Sequence, residues 1–234
     1  MTEPVLLITG ASSGIGAATA RLAAERGWRL VLAARTQRAI DELAATLGGP
    51  TAARACRCDI TDWDQVSALP ALALTAFGRL DAVFANAGTF TPTSFLHATG
   101  TPQQWREMVL TNVYGTALTA RAALPHLASA RGHLVLTGSV AGRITVPGNL
   151  YSATKWAVTA IAQSIRAEAT TTGVRVTLIQ PGLTDAGLAA PDRAGEPKLA
   201  PGDVARTVMF ALEQPAEVDI NEIVVRPTGQ QPHR

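Results

Sequence analysis

The sequence predicts an α/β domain built on a parallel β-sheet, and three features predict it. Short apolar runs without polar alternation, such as Val5-Leu6-Leu7-Ile8 and Leu30-Val31-Leu32-Ala33-Ala34, mark strands buried on both faces. Segments of helical periodicity alternate with them. The first strand also runs straight into a Gly-rich turn that opens a helix. At 234 residues, 47% hydrophobic and 16% charged, the chain 1–234 has the length and composition of one such domain with a sizeable core.

The totals also exclude several functions. A net charge of +2 with scattered arginines does not make a nucleic-acid surface. Cys56 and Cys58 would point to opposite faces of an extended segment, which suits neither a disulfide nor a metal clip. The four histidines, 97, 126, 133 and 233, show no ligand spacing, so no metal is expected. The N-terminus has no basic region followed by a long apolar core, and Val5–Ile8 is far too short to cross a membrane. A cytoplasmic protein is expected.

In order, the first strand leads into Thr9-Gly10-Ala11-Ser12-Ser13-Gly14-Ile15-Gly16, with a helix from Ala17 to Arg26. Free amides and the positive end of the helix dipole make this turn an anion site, suited to a phosphate. Its glycines miss the common G-x-G-x-x-G spacing. The second strand, Leu30–Ala34, ends at Arg35 instead of the carboxylate that would bind a ribose 2′-hydroxyl and select NAD. A guanidinium there pairs with a 2′-phosphate, which favours NADP with NAD possible.

A helix at Gln37–Leu47 and a strand at Ala53–Cys58 lead to Asp59, a candidate acceptor for an adenine amino group. Thr61 is placed to cap the helix that starts near Asp62. The fourth strand, Leu80–Ala85, ends in Asn86-Ala87-Gly88, small residues that let a cofactor approach the backbone. The long helical stretch from Gln103 to Leu127 carries Asn112 on the apolar face of Val109, Val113 and Leu118, where it must hydrogen-bond something.

The fifth strand, His133–Thr137, delivers Gly138-Ser139 to the edge where open α/β sheets bind ligands. Ser139 can donate to a substrate oxygen. A nucleophilic role fits less well, because the Gly two residues before the Ser of a nucleophile elbow is missing. A helix from Tyr151 to Thr170, a strand at Val174–Ile179 closed by Pro181-Gly182, a loop at Leu183–Pro201, a helix at Gly202–Leu212 and a strand at Ile220–Val225 complete the chain.

Tyr151 and Lys155 lie one helical turn apart on one face. A phenol titrates near ~10, and a fixed ammonium beside it favours the phenolate. Such a pair suits moving a proton on or off an alcohol oxygen. Lys155 and Lys198 are the only lysines among 20 basic residues, so a compact ammonium at 155 is chemically informative.

Thr9-Gly10-x-x-x-Gly14-x-Gly16, Asn86-Ala87-Gly88, Asn112, Ser139, Tyr151-x-x-x-Lys155 and Pro181-Gly182, in that order, closely resemble the short-chain dehydrogenase/reductase family from Val5 to about Gly229. The resemblance implies a Rossmann fold, a doubly wound parallel sheet of seven strands in the order 3-2-1-4-5-6-7 with helices on both faces. It implies that Tyr151 is the general acid/base and that Lys155 lowers its pKa and holds the nicotinamide ribose. Ser139 would position the substrate oxygen, and Asn112 would hold a water linking Lys155 to solvent. Gly10, Ser12, Ser13, Gly14, Ile15 and Gly16 would cradle the dinucleotide. Arg35 would hold the 2′-phosphate, Asp59 and Ile60 the adenine, and Asn86, Ala87 and Gly88 the adenosine side. Pro181, Gly182, Leu183 and Thr184 would flank the nicotinamide.

Two positions depart from the family pattern. Ser13 stands where many NADP-preferring relatives have a basic residue, and Ala186 stands where relatives often have a Thr that bonds the carboxamide, leaving that role to Thr184. The loop Asp185–Pro201 is short for the family, which implies a shallow or open pocket, with pocket residues expected from 89–97, 140–150 and 183–200. Arg143 is a candidate to meet an acidic substrate or a surface arginine. Helices near 103–127 and 151–170 would pair subunits in a homodimer or homotetramer.

The activity expected is an NADP-preferring interconversion of a secondary alcohol and a ketone or aldehyde. The alternatives are a dinucleotide-binding sensor without catalysis and a C=C or C=N reductase on the same scaffold.

Overall fold

The computed structural model describes residues 3–187 and 195–231. Among these residues, seven parallel strands form one sheet in the order β3-β2-β1-β4-β5-β6-β7, as expected. They are β1 (Val5–Thr9), β2 (Arg29–Ala34), β3 (Ala53–Arg57), β4 (Ala82–Ala85), β5 (His133–Thr137), β6 (Arg175–Pro181) and β7 (Glu222–Val225). The order reverses between β1 and β4, and a crevice opens there beyond the carboxyl ends of the strands.

The two-residue period of each strand supplies two cores. Val5 and Leu7 of β1 face one layer, with α3 (Trp63–Phe77), α5 (Thr116–Ala130) and α6 (Leu150–Ala169). Leu6 and Ile8 face the other, with α1 (Gly14–Glu25), α2 (Gln37–Thr46) and α7 (Pro201–Leu212). Each fully buried Leu or Ile contributes roughly 1.5–3 kcal/mol.

Three local features differ from the expectations. Helix α1 begins at Gly14 rather than Ala17, because extended Ser13 accepts from Ala17 N at 3.2 Å and the helix starts inside the Gly-rich turn. The cap of α3 is Asp62, whose carboxylate accepts from the amides of Asp64 and Gln65 at 3.0 and 3.2 Å. Thr61 instead donates its amide and hydroxyl to Asp59, at 2.9 and 2.8 Å.

The stretch expected as one helix over 103–127 is three pieces: α4 (Pro102–Val109), a π turn at Leu110–Gly115, and α5. A Thr101/Gln104 capping box with Pro102 in the first turn starts α4. In the wide turn, Thr116 and Thr119 donate their hydroxyls to the carbonyls of Asn112 and Gly115, each at 2.8 Å. No helix among the described residues is long and apolar enough to cross a membrane.

Candidate active site

A cavity of about 740 Å³ follows the carboxyl edge of the sheet from Arg35 to Tyr151, a size typical of cofactor clefts. At its phosphate end, Gly10, Ser12, Ser13, Gly14 and Ile15 form the wall. The first-turn amides of α1 have no partner within the helix and supply donors beside the positive end of its dipole.

Gly16, expected in the cradle, is absent from the cavity wall. A Cβ there would lie 2.3 Å from the Gly10 carbonyl oxygen, so Gly16 instead lets α1 press against the turn. At the far end stand exposed Arg35 with Asp59 and Ile60, and one Asp59 oxygen is engaged by Thr61. Thr36 and Cys58 also line this end, and neither carried a sequence signal.

Asn86, Ala87 and Gly88 line the middle. The Asn86 side chain ties three strand ends together. Its Nδ2 donates to the Thr9 carbonyl at 3.1 Å, and its Oδ1 accepts from Thr137 Oγ1 at 3.2 Å. Thr9 Oγ1 in turn accepts from the amides of Asn86 and Ala87, at 3.1 and 3.3 Å.

Ser139, Tyr151 and Lys155 converge at the other end. Extended Ser139 follows β5, and its Oγ accepts from Ala141 N at 3.1 Å, which leaves the hydroxyl proton to favour the Tyr151 phenolate. Tyr151 sits in the first turn of α6, capped by the Asn149 side chain, which accepts from Ser152 N at 2.9 Å. Ser152 Oγ shares its proton between the carbonyls of Ala141 and Ile144, at 2.6 and 2.8 Å, and so locks the serine turn onto the tyrosine helix. The Tyr151 ring packs edge-on against Phe90, centroids 5.3 Å apart.

Lys155 Nζ donates to the Thr137 carbonyl at 2.8 Å and lies 5.6 Å from the Tyr151 ring centroid. The lysine is 5% exposed, and burial pulls its ammonium from 10.5 to about 8. Burial pushes the Tyr151 phenol up to about 12, opposed by the Ser139 hydrogen bond. That direction corrects the expectation of a phenol lowered by Lys155. Desolvation of the phenolate sets the direction, and the Lys155 ammonium, which lies beside the ring and bonds Thr137, does not reverse it.

Asn112 does not line the cavity. It is 1% exposed in the π turn, where Oδ1 accepts from Thr89 N at 2.8 Å and Nδ2 donates to Thr89 O and to Thr154 Oγ1 at 2.9 and 3.1 Å. Val109, expected on the same face, is exposed, but these bonds satisfy the buried carboxamide as expected. They hold the chain after Gly88 against the residue preceding Lys155.

Pro181, Gly182, Leu183 and Thr184 close the catalytic end. Gly182 N donates to Val225 O at 2.7 Å, and Leu183 O accepts from Leu199 N at 2.8 Å. Gln230, which carried no motif, also lines the cavity, and its Oε1 accepts from Leu183 N at 3.1 Å. The expected substrate walls are represented by Thr89, Phe90, Val140, Ala141, Ile144, Val146, Asn149, Ala186 and Glu196. Part of the loop expected at Asp185–Pro201, residues 188–194, lies outside the described residues. Arg143 is absent from the wall and pairs with Glu222, so it is committed to the surface. Among the described residues, no group of three His, Cys, Asp or Glu side chains is placed to hold a metal ion.

Comparison with known proteins decides the family. The sequence profile described as short chain dehydrogenase matches residues 4–197. The chain belongs to that family. An uncharacterized oxidoreductase of Staphylococcus aureus (strain USA300) is 38% identical over 230 residues, covering 97% of this chain and 98% of the relative. An alcohol dehydrogenase from the archaeon Thermococcus sibiricus, complexed with 5-hydroxy-NADP, superposes with a TM-score of 0.87 at 28% identity, over 99% of this chain and 100% of that one. A 3-ketoacyl-(acyl-carrier-protein) reductase from Brucella melitensis, complexed with NADH, gives 0.86 at 27%, over 96% and 97%. As a family member, the chain is an oxidoreductase.

Proposed function

We propose that the protein is an NADP(H)-preferring oxidoreductase that interconverts a secondary alcohol and a ketone, with Tyr151 as the general acid/base. The observation that carries this reading is the convergence of the Ser139 hydroxyl, the Tyr151 phenol and the Lys155 ammonium at one end of a cleft that begins at a phosphate-type turn. The cleft fits a dinucleotide: helix-terminal amides at Gly14–Ile15, a cation at Arg35 and a buried ammonium at Lys155 match its phosphates and ribose hydroxyls. The two solved relatives hold an NADP derivative and NADH, so the family likeness covers both cofactors and Arg35 is what favours NADP.

A bound nicotinamide would supply the hydride to the carbonyl carbon, or accept it from the alcohol carbon. In reduction, Tyr151 gives its phenolic proton to the carbonyl oxygen while Ser139 donates a hydrogen bond to the same oxygen. A phenol held near about 12 is fully protonated at neutral pH, which suits it as the acid. Lys155 offsets the phenolate that is left. In this scheme Asn112 acts from behind the cavity wall, through a water held beside Lys155. Phe90, Val140, Ile144, Val146 and Leu183 give the substrate end apolar walls, which suit the alkyl or aryl groups of a ketone.

Tyr151→Phe removes the proton and leaves the Phe90 packing. Turnover of ketones with NADPH is expected to disappear, with NADPH affinity within a few-fold of wild type by calorimetry. Retained turnover would sink the acid/base assignment.

A further inference from the structure

The Gly182–Leu183 peptide is fixed by backbone partners at two of its neighbouring groups and by two side chains, one of them Thr184, whose Oγ1 donates to Gly182 O at 3.0 Å. Gly182 N is held by Val225 O at 2.7 Å, Leu183 O by Leu199 N at 2.8 Å, and Leu183 N by Gln230 Oε1 at 3.1 Å. Gln230 lies beyond the end of β7, where a turn with Gln230 N donating to Pro227 O at 3.1 Å brings the side chain back to the sheet edge. The residue is 8% exposed and lines the catalytic end of the cavity with Leu183 and Thr184. Its carboxamide is packed flush on Gly182, since a Cβ at 182 would lie 2.1 Å from Oε1.

We infer that Gln230 is a positioning residue for the segment that receives the nicotinamide end of the cofactor. The inference rests on the oxidoreductase reading above. A backbone N–H at the wall of a cleft must find an acceptor, and Oε1 selects the peptide orientation in which Leu183 N points away toward the C-terminal turn. With that acceptor gone, the Leu183 amide is unpaired and the Thr184 bond to Gly182 O is left to hold the peptide, so the segment loosens. Nicotinamide binding then has to reorder the segment, which lowers apparent affinity by the fraction of chains already in the receptive form. The phosphate turn and Arg35, at the opposite end, do not depend on this contact.

Calorimetry with NADPH and with 2′,5′-ADP, which spans only the adenine end, tests the inference. Gln230→Met, which keeps the volume and removes the acceptor, is expected to weaken NADPH roughly 3- to 10-fold. The affinity for 2′,5′-ADP should stay within two-fold, and exchange of the Leu183 amide should accelerate. Gln230→Glu keeps an acceptor and is expected to restore both readouts. Gly182→Ala, which expels the same carboxamide, provides a second variant should Gln230→Met fail to fold, and is expected to follow the same pattern. Unchanged NADPH affinity, or equal weakening of both ligands, would overturn the inference. A wild-type protein that binds neither nucleotide would overturn the oxidoreductase reading, and this one with it.

Discussion

Burial shifts Lys155 and Tyr151 in opposite directions, the ammonium down to about 8 and the phenol up to about 12, and each shift has a consequence at the residue scale. For Lys155 the folded pKa lies below the 10.5 of the free side chain, so the unfolded chain holds the proton more tightly. Holding the charge in the fold costs about 3 kcal/mol below pH 8, and that cost fades as pH rises from 8 toward 10.5. Lys155→Met, although it orphans the Thr137 carbonyl, is therefore expected to stabilise the fold by about 1–3 kcal/mol at pH 7 while abolishing turnover. Urea melts at pH 7 and pH 10 check this, and the gain should shrink at the higher pH. Arg35 lines the other end of the cleft, where the proposed NADP preference puts a 2′-phosphate. Arg35→Asp replaces a phosphate partner with a ribose-hydroxyl acceptor, so the NADPH/NADH ratio of kcat/KM should fall at least ten-fold. An unchanged ratio would show that Arg35 does not read the phosphate.

At the scale of elements, β5 and β6 are joined by a buried side-chain contact besides their ladder. His133 Nε2 lies 2.7 Å from Thr177 Oγ1, whose own proton goes to Ile220 O at 2.6 Å, so the imidazole is the Nε2–H donor. Nδ1 is buried and has no hydrogen-bond partner among the described residues. Burial, aided by the nearby Arg175 charge, lowers the imidazole from 6.5 to about 3. The unfolded chain thus takes up the proton first, and the stability this residue contributes is complete above pH 6.5 and declines as pH falls toward 3. Between pH 7 and 4.5, His133→Gln should lose about 2–3 kcal/mol less than wild type in urea denaturation. Equal losses would show that His133 does not set the acid sensitivity. The π turn between α4 and α5 is the other element-scale feature. Helical periodicity alone reads through it, because the backbone stays helical on both sides of the turn and only the hydrogen-bond step changes.

For the whole molecule, the stretch from α4 through the π turn and the helix α6 leave large apolar side chains exposed. Val109 is 38% exposed, Tyr114 49% and Trp156 47%. We propose that these side chains are covered in the dimer or tetramer expected through helices near 103–127 and 151–170. Trp156→Glu places a charge on α6 and should move the sedimenting species toward monomer at micromolar concentration, with the circular dichroism spectrum retained. A wild-type protein that sediments as a monomer at all concentrations would refute the pairing.

The sequence by itself determined the sheet and its ends. The apolar runs dictated buried parallel strands, and the Gly-rich turn, Asn86-Ala87-Gly88, Ser139, Tyr151-x-x-x-Lys155 and Pro181-Gly182 marked the strand ends and helix starts that now border one cleft. Such signals are local, because a strand end or helix turn fixes where its own residues point. Tertiary structure alone decided what depends on distant neighbours. It moved the cap of α3 to Asp62, took Gly16 and Asn112 off the cavity wall, and bound Arg143 to Glu222. It also brought Gln230 from the C-terminal turn onto Leu183. The ionisation of Tyr151 and Lys155 belongs to that second group. One helical turn of spacing promises an ammonium beside a phenol, but the depth at which the fold buries them sets the direction of both shifts.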